Sequence, residues 1–188
     1  MSERGFVVAL LGAESTGKTT LAGEIGAALA ARGLRVAVVT EALREFCAAE
    51  ARTPRRDEQK AIAALQSERI DAAAASAEIV VADTSALMIA VYSDFVFADR
   101  SLYPSAIAAQ RRCDLTLVTA LDLPWRADGL QRDGAHVRAP IDALLRAALA
   151  DASIAFGTIA GVGERRAEAA LRAIDDALAA RPCGTGAD

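Results

Sequence analysis

Behind the apolar stretch Phe6-Val7-Val8-Ala9-Leu10-Leu11 stands the run Gly12-Ala13-Glu14-Ser15-Thr16-Gly17-Lys18-Thr19-Thr20, and that junction narrows the choice of fold sharply. A buried strand that stops at a glycine and reopens as a helix is the first half of a crossover unit, and crossover units build parallel sheets. The run also has the spacing G-x-x-x-x-G-K-[ST] of a phosphate-binding P-loop. Gly12 and Gly17 allow the backbone to curl until its N–H groups converge on phosphate oxygens. The helix opening at Lys18 adds the positive end of its dipole to the same spot. In that geometry Lys18 reaches the outer phosphates and the Thr19 hydroxyl holds Mg2+. A glycine-rich turn can match the pattern by chance, but the strand before it and the amphipathic helix after it argue for nucleoside triphosphate binding. Residues Gly12 to Thr20 are the expected nucleotide cradle.

Composition adds an independent sign. Lys18 and Lys60 are the only lysines against nineteen arginines. Lysine is thus kept where a compact point charge fits and a guanidinium fork does not.

The rest of the chain alternates strand and helix. The expected elements are a strand over Phe6–Leu11, a helix over Lys18–Ala31 ended by Gly33, a strand over Arg35–Thr40 and a helix over Glu41–Glu50. After the break at Thr53-Pro54, Asp57 reads as the N-cap of a long helix reaching Ala75. A strand over Glu78–Ala82 follows, then helices over Ser85–Phe97 and Ser105–Arg112, and a strand over Leu115–Thr119. Periodicity is lost from Asp122 to Ala139, a length that usually marks a functional or disordered loop. A helix over Ile141–Ala150, a strand over Ser153–Phe156 and a helix over Glu164–Arg181 close the pattern. The fold class expected is α/β, a P-loop NTPase fold with a parallel sheet of about five strands and helices on both faces. One domain over residues 1–181 is expected, with 182–188 a frayed tail.

Several classes are disfavoured. The net charge of −4 speaks against a nucleic-acid surface; Arg52, Arg55 and Arg56 read as a solvated loop. No apolar stretch is long enough to span a bilayer, and the start does not resemble a signal peptide, so a cytoplasmic protein without membrane contact is expected. Cys47, Cys113 and Cys183 are in no metal-ligand spacing and read as reduced thiols. The single His136 reads as a polar loop residue.

Ligands of parallel sheets gather beyond the carboxyl ends of the strands, and three features stand there. The run Ile79-Val80-Val81-Ala82-Asp83-Thr84 has the form of a Walker B strand, with Asp83 orienting Mg2+ or accepting a hydroxyl proton; alternatively, Asp83 only caps the next helix. Glu41 and Arg44 share a helix face. They are candidates to hold sugar hydroxyls, an acceptor or a phosphate, with Glu41 as a possible base, or else they form a surface ion pair. The segment Asp122-Leu123-Pro124-Trp125-Arg126-Ala127-Asp128-Gly129-Leu130-Gln131-Arg132-Asp133 reads as a lid. Arg126 and Arg132 would close over the phosphates and exclude water. Trp125 either stacks on a ligand ring or anchors the loop.

These pieces, in this order, resemble the ribosylnicotinamide kinase domain of NadR-type proteins, a branch of the P-loop NTPases. The resemblance is carried by Gly12 to Thr19, by Glu41-Ala42-Leu43-Arg44-Glu45-Phe46, by the helix Asp57…Ala61-Ile62-Ala63…Gln66, by Asp83-Thr84 and by Asp122…Pro124-Trp125…Asp128-Gly129. It implies transfer of the γ-phosphate of Mg-ATP to the primary hydroxyl of a nucleoside such as nicotinamide riboside. By position, the P-loop and Lys18 hold ATP, Thr19 and Asp83 serve Mg2+ and catalysis, and Arg126 and Arg132 belong to the lid; Glu41, Arg44, Asp83 and Trp125 are the substrate-binding candidates read from the strand ends and the loop. The chain departs from the family pattern at Ala42, at Thr40 and Asp71 where rings that clasp nicotinamide would stand, and at Gln131, which displaces the lid arginine to Arg132. Two other readings remain beside the nucleoside kinase: a regulatory NTPase that hydrolyses ATP without an acceptor, and a kinase for another small metabolite. The sequence leaves the oligomeric state open.

Overall fold

Six apolar residues without a polar interruption form β1 (Phe6–Leu11), and all six are buried. Such a run needs cover on both faces. In the computed structural model, which describes residues 4–126 and 134–181, that cover is provided on each side of a five-stranded sheet. The elements run in order as α1 (Lys18–Ala31), β2 (Val36–Val39), α2 (Ala42–Glu50), α3 (Gln59–Ala74), β3 (Ile79–Asp83), α4 (Ala86–Phe97), α5 (Tyr103–Gln110), β4 (Leu115–Thr119), α6 (Arg138–Asp151), β5 (Gly157–Ile159) and α7 (Glu164–Ala179). The strand order is β2-β3-β1-β4-β5 and every pairing is parallel. The expected α/β class with a parallel sheet of five strands is what the molecule adopts.

The two faces of β1 separate by alternation, as a pleated strand requires. Phe6, Val8 and Leu10 join Leu21, Ile25 and Leu29 of α1 and Ile174 of α7 in one cluster. Ala9 and Leu11 face the other way, into a cluster with α4 and with Ile141, Leu145 and Leu149 of α6. Val7 packs near Ile70 and Ala74 of α3. The central strand is thus held rigidly, and its carboxyl end is a fixed base for the loop that follows.

The expected ranges of β1, α1 and β4 coincide with those observed. The last strand is a correction: the ladder runs over Gly157–Ile159, not Ser153–Phe156. Ser153 takes a left-handed φ of 54°, and the N–H groups of Ser153 and Ile154 turn back to the carbonyls of Ala150 and Leu149. Ile154 and Phe156 are apolar because they pack on the core, not because they pair. Asp57 is not the cap of α3. A 3-10 turn over Arg56–Glu58 leads into the helix, and the Glu58 carboxylate reaches back to the Arg55 N–H at 2.7 Å.

Two helices begin earlier than expected for one reason. Pro104 and Pro140 sit in the first turns of α5 and α6, where no intrahelical N–H bond is required. Among the described residues no helix is long and apolar enough to cross a membrane.

Candidate functional site

The loop from Gly12 to Thr19 leaves β1 and enters α1. Gly12 has φ 144° and a side chain there would place Cβ 2.1 Å from Thr119 Oγ1, so only glycine fits. Gly17, at φ 75°, is the N-cap of α1. Between them the loop is pinned from β4: the Thr119 hydroxyl donates to Thr16 Oγ1 at 2.7 Å, and Thr16 Oγ1 donates to the Ala13 carbonyl at 2.8 Å. Lys18 Nζ donates to that same carbonyl at 2.9 Å. The loop is therefore held in shape by hydrogen bonds within itself and from β4, the preorganisation an anion cradle needs.

Register brings the next group into place. β3 pairs with β1 so that Asp83 lies opposite Leu10, two residues before Gly12. Asp83 is 2% exposed. Its Oδ2 accepts from the Thr19 hydroxyl at 2.5 Å, and its Oδ1 has no hydrogen-bond partner among the described residues. A hydroxyl and a carboxylate with a spare oxygen are hard donors, the chemistry that suits Mg2+, which takes few protein ligands and completes its shell with phosphate and water. Among the described residues no group of three or more His, Cys, Asp or Glu gathers as a protein-only metal cage.

Thr84, next along, carries φ 79°, an uncommon value for a β-branched residue. Its N–H bonds the Leu10 carbonyl at 3.0 Å.

Glu41 stands at the N-cap of α2. The turn is fixed by Gln66, fully buried on α3, whose Oε1 accepts from the Ala42 N–H at 2.8 Å and whose Nε2 reaches the Thr84 carbonyl at 3.5 Å. Burial pushes the Glu41 carboxyl above its ordinary value; Lys18 draws it down, Asp83 pushes it up and Arg44 draws it down again. Glu41 and Arg44 do pair, at 3.5 Å, but the Glu41 side chain is only 14% exposed, so this is not a surface ion pair on both sides.

The root of the expected lid docks on the P-loop. Ser15 Oγ donates to the Arg126 carbonyl at 3.0 Å and accepts from the Arg126 N–H at 2.8 Å. Trp125 Nε1 donates to Glu14 Oε1 at 3.3 Å, so Trp125 here anchors the segment. Arg132, with Asp128, Gly129, Gln131 and Asp133, lies outside the described residues.

Two arginines that sequence reasoning passed over complete this framework. Arg138 Nη1 donates to the Leu123 carbonyl at 2.9 Å. Arg166, 4% exposed at the start of α7, donates to the Thr16 carbonyl at 2.6 Å, the Gly161 carbonyl at 2.9 Å and Asp122 Oδ1 at 3.2 Å. The Gly161 N–H in turn bonds Asp122 Oδ2.

These parts open on a cavity of about 690 Å³. Gly12, Glu14 to Thr20, Glu41, Arg44 and Arg126 border it; Ala13, Asp83 and Trp125 do not. The far side is lined by residues the sequence did not single out: Thr53, Gln59, Met88, Tyr92, Val96 and Phe97. Their one legible signal was the four-residue spacing of Met88, Tyr92 and Val96 on a helix beside the strand ends. Thr40 and Asp71 do not border the cavity. Thr40 bonds Glu45, and Asp71 pairs with Arg112 at 2.9 Å.

A family model described as an AAA domain matches residues 7–166. The sequence matches no curated protein. Among solved structures the chain is similar to a NadR protein in complex with NR, at 21% identity and TM-score 0.75, over 94% of this chain and 52% of that one. It is similar also to a NadR protein in complex with NAD and AMP-PNP, at 20% identity and TM-score 0.75, over 97% and 52%. The chain spans about half the length of these structures. At this identity the likeness establishes the fold of their P-loop NTPase part.

Proposed function

Because the chain belongs to the AAA domain family of P-loop NTPases, we propose that it is an ATP-dependent small-molecule kinase, nicotinamide riboside kinase-like, acting on a nucleoside hydroxyl. The observation that carries this reading is one continuous cavity. The P-loop forms one side, Glu41 and Arg44 border it, and a wall from α3 and α4 leaves room beyond the phosphates for an acceptor. A hydrolase needs only water there. That one NadR neighbour is in complex with NR and another with NAD and AMP-PNP supports a reading with a small-molecule acceptor.

In this mechanism the main-chain N–H groups of Gly12 to Thr19 bind the polyanion, and Lys18 exchanges the Ala13 carbonyl for phosphate oxygens. Thr19 and Asp83 would hold Mg2+, which when bound screens the charge of the phosphates. Glu41 takes the proton of the acceptor hydroxyl, a task suited to a carboxylate whose affinity for protons is raised by burial. The acceptor oxygen then bonds the γ-phosphorus as the bond to the β,γ-bridging oxygen breaks, and that electron pair leaves with ADP. Arg44 holds Glu41 in place. Arg126 and, from the segment beyond, Arg132 cover the phosphates and keep water out. The chain acts as one domain over 1–181.

The ring-clasping positions of the resembling family hold Thr40 and Asp71, both engaged elsewhere. The aromatic rings that border the cavity in this chain are Tyr92 and Phe97, which supports an acceptor other than nicotinamide riboside as the second reading.

The test is purified protein with Mg-ATP and a nucleoside panel that includes nicotinamide riboside, read as ADP release and as product mass. ADP release that needs an acceptor, with a product heavier by one phosphoryl group, is expected. ADP release indifferent to every acceptor would overturn the kinase in favour of a regulatory NTPase.

A further inference from the structure

One face of α4 runs from the interior of the cavity out to solvent. Met88, Tyr92 and Val96 border the cavity at four-residue intervals, which puts them on one side of the helix. Exposure rises along that side: Met88 is 3% exposed, Tyr92 is half-buried and Val96 is 52% exposed. At about 1.5 Å per helical residue, Val96 stands roughly 12 Å beyond Met88, farther from the end of α4 that follows Asp83. The cavity therefore opens to water beside Val96.

Charge is segregated in this cavity. Among the described residues that line it, the charged ones are Glu14, Lys18, Glu41, Arg44 and Arg126, on the P-loop, the start of α2 and the lid root. On the α4 side Phe97 and the buried Pro54 extend the apolar stripe. Thr53, Gln59 and the Tyr92 hydroxyl add polar groups there but no charge. Apolar surface left against water costs free energy that a covering apolar group recovers. A charged group resting on it would lose hydration with no opposite charge on this wall to offset the loss.

We infer that the acceptor carries an uncharged apolar group, aryl or alkyl, at the end remote from its reacting hydroxyl, and that this group lies along Met88, Tyr92 and Val96. The inference names a substrate class within the kinase reading and rests on that reading for the word acceptor. A nucleoside with an apolar substituent on its base meets the description.

The experiment is calorimetric binding to the full chain loaded with Mg2+ and AMP-PNP. The probes are adenosine and cytidine, each beside its counterpart benzylated on the exocyclic amine, with nicotinamide riboside as the charged-ring comparison. The proteins are wild type, Val96→Asp, Val96→Ser and Phe95→Ser. Phe95 is 36% exposed next to Val96 but is not among the residues that border the cavity, so its variant controls for stickiness of the surface at large. Wild type is expected to bind the benzylated member of at least one pair about tenfold more tightly. The preference falls to within about threefold in Val96→Asp and declines in Val96→Ser, which reads the same loss should the aspartate variant not fold. It persists in Phe95→Ser.

Absence of preference in both pairs overturns the assignment. So does a preference that survives both Val96 variants, one lost equally in Phe95→Ser, or tighter binding of nicotinamide riboside than of either benzylated nucleoside. Transfer is measured in parallel, as ADP release and product mass. Preference without transfer to any probe refutes the kinase and upholds the apolar wall as a binding surface, whereas transfer without preference refutes the apolar group alone.

Discussion

Lys18 rests on the carbonyl of Ala13, inside its own loop, so the cation that a triphosphate would draw on is already held at the site. Lys18→Ala is expected to keep the fold by circular dichroism and to lower transfer by about 10² to 10³ in kcat/KM, the reach of a positioned cation at a transferring group. Glu41 gives a pH signature. Its carboxyl sits above the ordinary value through burial, so the proton is favoured in the fold. That contribution to stability is present below the ordinary carboxylate value and is lost as pH climbs through the raised one. Catalysis needs the opposite, ionised form. Activity should therefore fall on acidification at a pH above the usual carboxylate range, and Arg44→Gln, which deletes a charge that lowers Glu41, should move that fall to higher pH still. An acid limb unmoved by Arg44→Gln would remove Glu41 as the base. At this scale Lys18, Thr19 and Asp83 were legible because a fixed spacing and a strand end announce them. Gln59 and Thr84 were not, since burial and a left-handed φ leave no mark in the letters.

Arg166 joins elements rather than atoms. One guanidinium fastens the P-loop, the lid root and the turn between β5 and α7. Removing it takes away the hydrogen bonds to the Thr16 and Gly161 carbonyls and to Asp122, a loss of the order of 3 kcal/mol. Arg166→Ala should accordingly lower the melting midpoint by roughly 10 °C for a chain of this size; a midpoint within about a degree of wild type would deny it that role. Nothing singles Arg166 out among nineteen arginines, because its importance comes from a meeting of loops far apart in the chain. Elements were legible where apolar runs are long, as in β1. They were misjudged where a proline occupies a first turn, as in α5, or where apolar residues serve packing, as at Ile154 and Phe156.

For the molecule as a whole, a nucleotide that binds only the folded chain must raise its stability. At a hundredfold excess over Kd the gain is about 2.7 kcal/mol, a midpoint shift of roughly 5 to 10 °C. Mg2+ should enlarge the shift in wild type and not in Asp83→Asn, because Thr19 and Asp83 are the oxygen donors proposed for the ion. A scan in which Asp83→Asn responds to Mg2+ as wild type does would leave Asp83 as a structural partner of Thr19 only. The alternation of strand and helix made the parallel sheet legible, but not its order, which depends on which strand slots beside β1. The bond from Arg166 to Thr16 spans 150 residues of sequence. A polypeptide emerging from the ribosome thus displays its phosphate-binding letters long before Arg166, and gains a finished grip only once that arginine has left the exit tunnel.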